Sequence, residues 1–299
     1  MSLYSDAIRA VFKGGLLEGE PLSRHTSLKV GGPADIFATP RDVEDLQQLV
    51  KVLNDQQIPR LVIGGGYNLL VRDGGFRGVA ISLEKINQLV VRQAGEIRAE
   101  AGARTIDLAR LAEAHGLGGL EFLVGIPGTV GGAVRMNAGA HGGEVCDHLV
   151  SLEVLGADGL MTRDRKSLDF AYRSLQLGPD KIIIAANFRL AAGRREEISA
   201  AMAACLQKRR DTQQVSLPNA GSFFRNPAGQ AAWRLIDEAG LRGTSVGGAQ
   251  VSEVHTNFLV NRGGAKASDF LRLAAIVKEK VFAASGIELE EEVRITGED

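Results

Sequence analysis

The spacing of apolar positions changes repeatedly along the chain, and each change predicts an element. Residues 38–59, ATPRDVEDLQQLVKVLNDQQIP, repeat apolar side chains at helical intervals. Thr39 is placed to cap that helix, Pro40 suits its first position, and Asp42 favours its positive end. Residues 61–63, 78–83, 88–92 and 96–103 read as strands. A second helix is predicted over 105–119, with Thr105 as cap and Gly116 as stop. Residues 125–144 hold too much glycine for a regular helix or a plain strand interior. Strands return at 149–159 and 181–190. Residues 195–213 form a helix with Glu196 and Glu197 at its start and Lys208, Arg209 and Arg210 at its end, as the macrodipole prefers. A strand at 255–261 and a helix over 268–285 follow. In that helix Phe270, Leu273, Ala274, Val277 and Val281 share a face, and Gly286 ends it. The mixture is not strict strand–helix alternation, so an α+β fold is expected, with a domain boundary within 190–205.

Composition narrows the class. The chain has 299 residues, 44% of them hydrophobic and 24% charged, with a net charge of -1. That permits a sizeable core and gives no global pull toward nucleic acid or an acidic membrane. The two cysteines, Cys146 and Cys205, show no metal spacing and suit a reducing compartment. His25, His115, His141, His148 and His255 show none either, so no metal is expected. MSLYSDAIRAVF lacks the features of a secretion signal, and no apolar run approaches a membrane span. A cytoplasmic protein is expected, without nucleic-acid or membrane partners, and as a monomer.

Two stretches carry candidate chemistry. In LVIGGGYNLLV (61–71), a strand runs into Gly64, Gly65 and Gly66 and resumes as strand. Glycines there let backbone amides approach a phosphate. No Walker lysine follows, and Leu69 stands where a dinucleotide fingerprint wants its third glycine. A tight connector explains this stretch alone equally well. A second glycine-dense segment at 125–143 favours a long ligand with a central pyrophosphate, because two such segments are entropically costly as mere connectors. Among polar candidates, Arg173 lies beside Tyr172 and Ser174, and Ser222 lies between Gly221 and Phe223. Glu290, Glu291 and Glu292 precede Val293, and strand alternation would put Glu290 and Glu292 on one face. A surface arginine, a turn serine and a solvated acidic cluster are the ordinary readings of these positions.

Six segments in order carry a resemblance. They are HTSLKVGGPADIF (25–37), IGGGYNLLVRDGGFRG (63–78), GIPGTVGGAVRMNAGAHGGE (125–144), YRS (172–174), AGSFFRNP (220–227) and LEEEVRITG (289–297). Together they resemble the UDP-N-acetylenolpyruvoylglucosamine reductase family, of the type lacking a substrate-closing tyrosine loop, since no tyrosine lies between Tyr172 and Ser222. The resemblance implies a vanillyl-alcohol-oxidase-like (PCMH-type) FAD-binding fold. It implies an N-terminal segment over 1–27, an FAD part over 28–193 in lobes of about 28–85 and 86–193, and an α+β substrate domain over 194–299. It implies non-covalent FAD held by Gly64, Gly65, Gly66, Tyr67, Asn68 and Leu69, and by Gly125, Ile126, Pro127, Gly128, Thr129, Gly131, Gly132, Ala133, Asn137, Gly139 and Ala140. Further, it implies that NADPH reduces FAD, and that flavin N5 gives hydride to C3 of UDP-N-acetylglucosamine enolpyruvate. The product is UDP-N-acetylmuramate, a precursor of peptidoglycan and so of cell shape and division.

By the same resemblance Arg173 and Glu292 stabilise the enolate, Ser222 gives the proton to C2, and Arg225 and Asn226 reach the UDP phosphates or sugar. Three positions depart from the family pattern: Tyr67 for serine, Arg225 for lysine and Val254 for lysine. Two rivals share the glycine segments. A flavin-dependent oxidase often binds FAD covalently through His or Cys, and neither occurs between Gly64 and Gly78. A catalytically dead binding protein would have lost part of the Arg173, Ser222 and Glu292 set, which is whole.

Overall fold

The protein, as a computed structural model, is described for residues 5–299; residues 1–4 of the N-terminal stretch lie outside that range. Grouped by packing, the chain forms two units. One comprises Met1–Glu18, Ile36–Gly65 and Gly78–Arg209; the other comprises Gly19–Asp35, Gly66–Arg77 and Arg210–Asp299. Each has its own apolar core.

A four-stranded sheet runs in the order Gly15–Pro21, Pro33–Thr39, Phe76–Ser82, Arg60–Ile63. Its last two strands are parallel, with Leu61 opposite Ala80. Helices α1 (Ser5–Val11) and α2 (Val43–Asp55) belong to the same part of the chain. In α2, Leu46, Leu49, Val50 and Leu53 are buried, as the helical spacing requires. The helix starts later than expected. Thr39 is claimed by its strand, and Asp42 is the cap, its carboxylate accepting from Asp45 N at 2.8 Å.

A five-stranded sheet follows, in the order Gly159–Asp164, Leu149–Gly156, Ile182–Arg189, Glu96–Glu100, Leu89–Val91. All its pairings are antiparallel. The central strand Ile182–Arg189 is buried until its last residue, which matches its apolar run from Ile182 to Ala186. The buried Asn187 side chain donates to Ser151 Oγ at 3.2 Å. Helix α3 (Thr105–Ala114) begins without a side-chain cap. The Thr105 hydroxyl instead donates to the Ile126 carbonyl, tying the helix to the second glycine segment. That segment is not wholly irregular: Val130–Arg135 forms the short helix α4, capped by Thr129. Glycines are tolerated there because Gly131 lies against Ala101. A Cβ on Gly131 would sit 2.8 Å from the Ala101 Cβ. Helix α5 (Arg195–Gln213) has the expected bounds and buries Ile198 and Met202, one turn apart.

In the second unit, Asn219–Ser222, Phe258–Asn261, Ala249–Val251 and Ser245–Val246 form an antiparallel sheet in that order. Helices α6 (Ala232–Glu238) and α7 (Ala267–Ser285) contribute buried residues to the same core. All five residues on the predicted apolar face of α7 are buried, each worth about 1.5–3 kcal/mol when large. Gly286 ends α7 at φ +70°, a conformation glycine adopts without steric cost. Arg294–Thr296 pairs in parallel with Leu69–Val71. The three glutamates therefore precede the strand, and simple strand alternation does not govern them.

Candidate functional site

In the first unit the strand Arg60–Ile63 ends at Gly64 and Gly65, both exposed. Gly64 abuts the second glycine segment: a Cβ built on it would lie 2.5 Å from Thr129 Oγ1. Thr129 is itself fixed as the cap of α4 and bridges to Arg104. So two segments more than sixty residues apart in sequence share one small surface of glycine backbone, with Gly132 also exposed. Gly125, Ile126 and Pro127 lead into it, and Gly128 turns at φ +129°. The Arg209 guanidinium donates to the Gly125 carbonyl. Ala133 is buried on the inner side of α4.

Beyond α4 the chain makes a tight ribbon. Gly139–Ala140 pairs with Gly143–Glu144, and His141 and Gly142 turn at φ +56° and +90°. Asn137, only 1% exposed, sits at φ +41°. Its side chain is fully engaged by protein. Asn137 Nδ2 donates to Glu144 Oε2 at 2.7 Å and to the Ala171 carbonyl at 3.3 Å. Its Oδ1 accepts from Cys146 N at 3.1 Å.

Arg173 occupies the turn of a hairpin made by Asp169–Ala171 and Ser174–Gln176. Its φ is +54°, a left-handed conformation that costs a side-chain-bearing residue about 1–2 kcal/mol. Its Nη2 donates to the Gly139 carbonyl at 2.8 Å, and its guanidinium carbon lies 4.9 Å from the Tyr172 ring centre. Of the five non-glycine residues at positive φ among those described, Asn137, His141 and Arg173 fall in three neighbouring turns of this region, and Lys29 and Gln57 lie elsewhere.

The second unit holds the remaining expected residues. Gly66 is buried at φ +68°, where a Cβ would fall 2.1 Å from the His25 carbonyl. Its own carbonyl accepts from Ser27 N at 3.0 Å and Ser27 Oγ at 3.1 Å. Tyr67 is exposed and Leu69 buried. Asn68 is clipped to the C-terminal segment: its Nδ2 donates to the Glu292 carbonyl at 3.1 Å, and its carbonyl accepts from Arg294 N at 3.1 Å.

Ser222 closes the strand Asn219–Ser222, just after Gly221 bends it at φ +71°. The two residues that follow, Phe223 and Phe224, are buried and meet edge to face at 5.2 Å. Glu292 N donates to the Phe223 carbonyl at 2.8 Å, and Arg225 N donates to the Glu290 carbonyl at 2.9 Å. Ser222 and Glu292 are therefore in adjoining, directly bonded segments. Glu291 is paired elsewhere, with Lys278 Nζ at 3.2 Å.

Arg225 Nε is buried with no hydrogen-bond partner among the described residues. A buried, unpaired donor on a cation is costly unless an anion satisfies it. Asn226 is exposed, and its Oδ1 accepts from Ala232 N at 3.0 Å, starting α6. Sequence reasoning passed over Asn257, which is 2% exposed. Its Oδ1 accepts from Phe224 N at 2.9 Å and its Nδ2 donates to the Phe224 carbonyl at 2.8 Å, while its own carbonyl accepts from Phe223 N at 2.7 Å. The signal was a lone asparagine beside an apolar strand run.

Residues 34–164 match the family described as FAD binding domain. Residues 213–296 match the family described as UDP-N-acetylenolpyruvoylglucosamine reductase, C-terminal domain. A UDP-N-acetylenolpyruvoylglucosamine reductase of Geotalea uraniireducens is 57% identical over 97% of each chain. One of Geobacter metallireducens is 54% identical over 98% of this chain and 97% of its own. The crystal structure of the reductase from Thermus caldophilus superposes with a TM-score of 0.81 at 36% identity, covering 95% of this chain and 98% of that one.

Proposed function

The chain belongs to the UDP-N-acetylenolpyruvoylglucosamine reductase family, and from that premise we propose that it reduces UDP-N-acetylglucosamine enolpyruvate to UDP-N-acetylmuramate, with FAD as cofactor and NADPH as reductant. It is an oxidoreductase of peptidoglycan precursor synthesis. The FAD-binding α+β fold inferred from its motifs is the fold of this chain. No helix among the described residues is long and apolar enough to cross a membrane.

The glycine surface suits a pyrophosphate. Gly64, Gly65 and Gly132 present backbone with no side chain in the way, and a Cβ on Gly64 would meet Thr129. We assign cofactor holding to Gly64, Gly65, Gly66, Tyr67, Asn68 and Leu69, and to the segment from Gly125 to Ala140. Asn137 takes part through its backbone, because its carboxamide is spent on protein partners. Residues 28–193 would hold FAD, in lobes over 28–85 and 86–193, and residues 194–299 the sugar nucleotide. When bound, FAD supplies the hydride chemistry, taking two electrons from NADPH and passing hydride to C3 of the enolpyruvyl group.

The chain's own residues handle charge and proton. Negative charge grows at C2 and on its carboxylate, and the planar Arg173 fork stabilises it. Glu292, as an un-ionised carboxyl, donates its O–H to the same enolic carboxylate. Ser222 Oγ gives its proton to C2, forming the C–H bond of the lactyl ether; the alkoxide left behind recovers a proton from solvent. Arg225, with its orphaned Nε, takes a UDP phosphate, and Asn226 lies beside it in sequence. The observation that carries this assignment is the bond from Glu292 N to the Phe223 carbonyl, which seats Glu292 against the segment that begins with Ser222.

The test is an anaerobic absorbance titration of the purified protein. Flavin bands that bleach with NADPH and return with the enolpyruvyl sugar establish both half-reactions. Return only on admitting oxygen would identify an oxidase. Absence of flavin after added FAD would overturn the reading of the glycine segments.

A further inference from the structure

The hairpin that carries Arg173 has two strands of three residues each, too little to hold a strained turn by itself. Three of its hydrogen-bonded fastenings come from one segment, residues 135–144, beside the packing of Leu175 in the core and of Phe170 under Arg165. Arg135 Nη1 donates to the Leu177 carbonyl at 2.8 Å, beyond the open end of the hairpin. Near the turn, Asn137 Nδ2 donates to the Ala171 carbonyl, and Arg173 itself reaches the Gly139 carbonyl. Asn137 stands at the centre of this arrangement. One buried carboxamide joins the ribbon (through Glu144), the following 3₁₀ turn (through Cys146 N) and the hairpin (through Ala171).

We propose that the Asn137 side chain is a positioning residue for Arg173: it locks the Arg173 hairpin to the second glycine segment and so sets the guanidinium for the enolate-forming half-reaction. The proposal rests on the reading of Arg173 above and deepens it. The chemistry demands an amide at this position. Three partners need two donors and one acceptor in one planar group, which asparagine supplies and aspartate does not. An aspartate would set a carboxylate against Glu144 Oε2 and the Ala171 carbonyl, two acceptors.

Three consequences distinguish positioning from cofactor contact or plain stability. Asn137→Ala keeps the backbone assigned to the cofactor and removes only the carboxamide, so its reduction by NADPH should change by less than its reoxidation. Its reoxidation by the enolpyruvyl sugar should fall by tenfold or more, on the order of what a small misplacement of a charge-stabilising group costs. Against an Arg173→Ala background the same change should add little, since two residues acting as one unit do not add. Hydrogen exchange, read on the apo-protein as well, should quicken at the amides of residues 169–176 and not across the five-stranded sheet.

Equal losses in both half-reactions, full additivity with Arg173→Ala, or unchanged exchange at 169–176 would each overturn the proposal. If Asn137→Ala does not fold, Glu144→Ala removes one of the three bonds and is read by the same cycle, with Glu144→Gln, which keeps an acceptor oxygen, expected to restore the parent behaviour. Should the parent protein itself fail to be reoxidised by the enolpyruvyl sugar, the reductase reading fails, and the exchange experiment still decides whether Asn137 fastens the hairpin.

Discussion

Single atoms decide the two sharpest expectations. Ser222→Ala removes the only hydroxyl assigned to the C2 proton. Reduction by NADPH should stay near the parent rate while reoxidation by the enolpyruvyl sugar drops by about 100-fold or more. Equal loss in both halves, measured by stopped-flow, would show that Ser222 is not the donor. Gly64→Ala places a methyl 2.5 Å from Thr129 Oγ1, a distance neither side can keep. FAD affinity should fall by about tenfold or more, equivalent to about 1.4 kcal/mol. Thr129→Ala in the same chain should recover part of it, by removing the hydroxyl. Fluorescence titration of the apo-protein reads both, and unchanged affinity in Gly64→Ala would remove Gly64 from the cofactor surface.

Elements are held by residues far from them in sequence. At the start of helix α7, Asp269 accepts from Lys266 N at 3.0 Å, and a second carboxylate comes from far away in sequence. Asp73, nearly two hundred residues earlier, accepts from Ala267 N at 2.8 Å and Ser268 N at 3.0 Å. Asp73→Ala should cost about 0.5–2 kcal/mol, seen as a lower Tm with FAD binding retained. In the five-stranded sheet, Arg98 makes two 2.7 Å bonds to Glu153, and this holds the Glu153 carboxyl below its usual range despite burial. A depressed folded pKa means stability that is present above the unfolded value of about 4.3 and is lost as pH falls through the folded one. Glu153→Gln should therefore destabilise at pH 7 by about 1.5–3 kcal/mol, and its deficit should shrink below about pH 4. A deficit independent of pH in denaturant melts would mean that the charge contributes nothing.

The whole molecule is divided in a way that no linear cut reproduces. Leu28, Val30 and Leu70 belong to the core formed mainly by residues 220–293, and Leu69–Val71 supplies the partner of Arg294–Thr296. A fragment of residues 210–299 lacks those parts, so it should show poorly dispersed NMR amide signals. Adding residues 19–35 and 66–77 by linkers should restore dispersion. A well-folded 210–299 fragment would show that these earlier segments are dispensable.

Period and composition along the chain were enough for the α+β class, for the strands of strongest apolar pattern such as Phe76–Ser82, Leu149–Gly156 and Ile182–Arg189, and for α5 and the buried face of α7, because those features arise from local spacing against a core. Gly15–Pro21, Pro33–Thr39, Gly159–Asp164 and Asn219–Ser222 carry no such pattern, and spacing alone does not predict them as strands. The ordered motifs brought the family, since six together are improbable by chance. Helix starts were less legible. Thr39 and Thr105 are good caps by residue type, but a strand took the first and the Ile126 carbonyl took the second. Only the tertiary structure could show that Gly64 lies on Thr129, that Glu292 is bonded to the Phe223 carbonyl, and that Asn137 fastens the Arg173 turn. These are pairings between residues 34 to 69 positions apart, and nothing in local spacing records which distant carbonyl a buried donor will find.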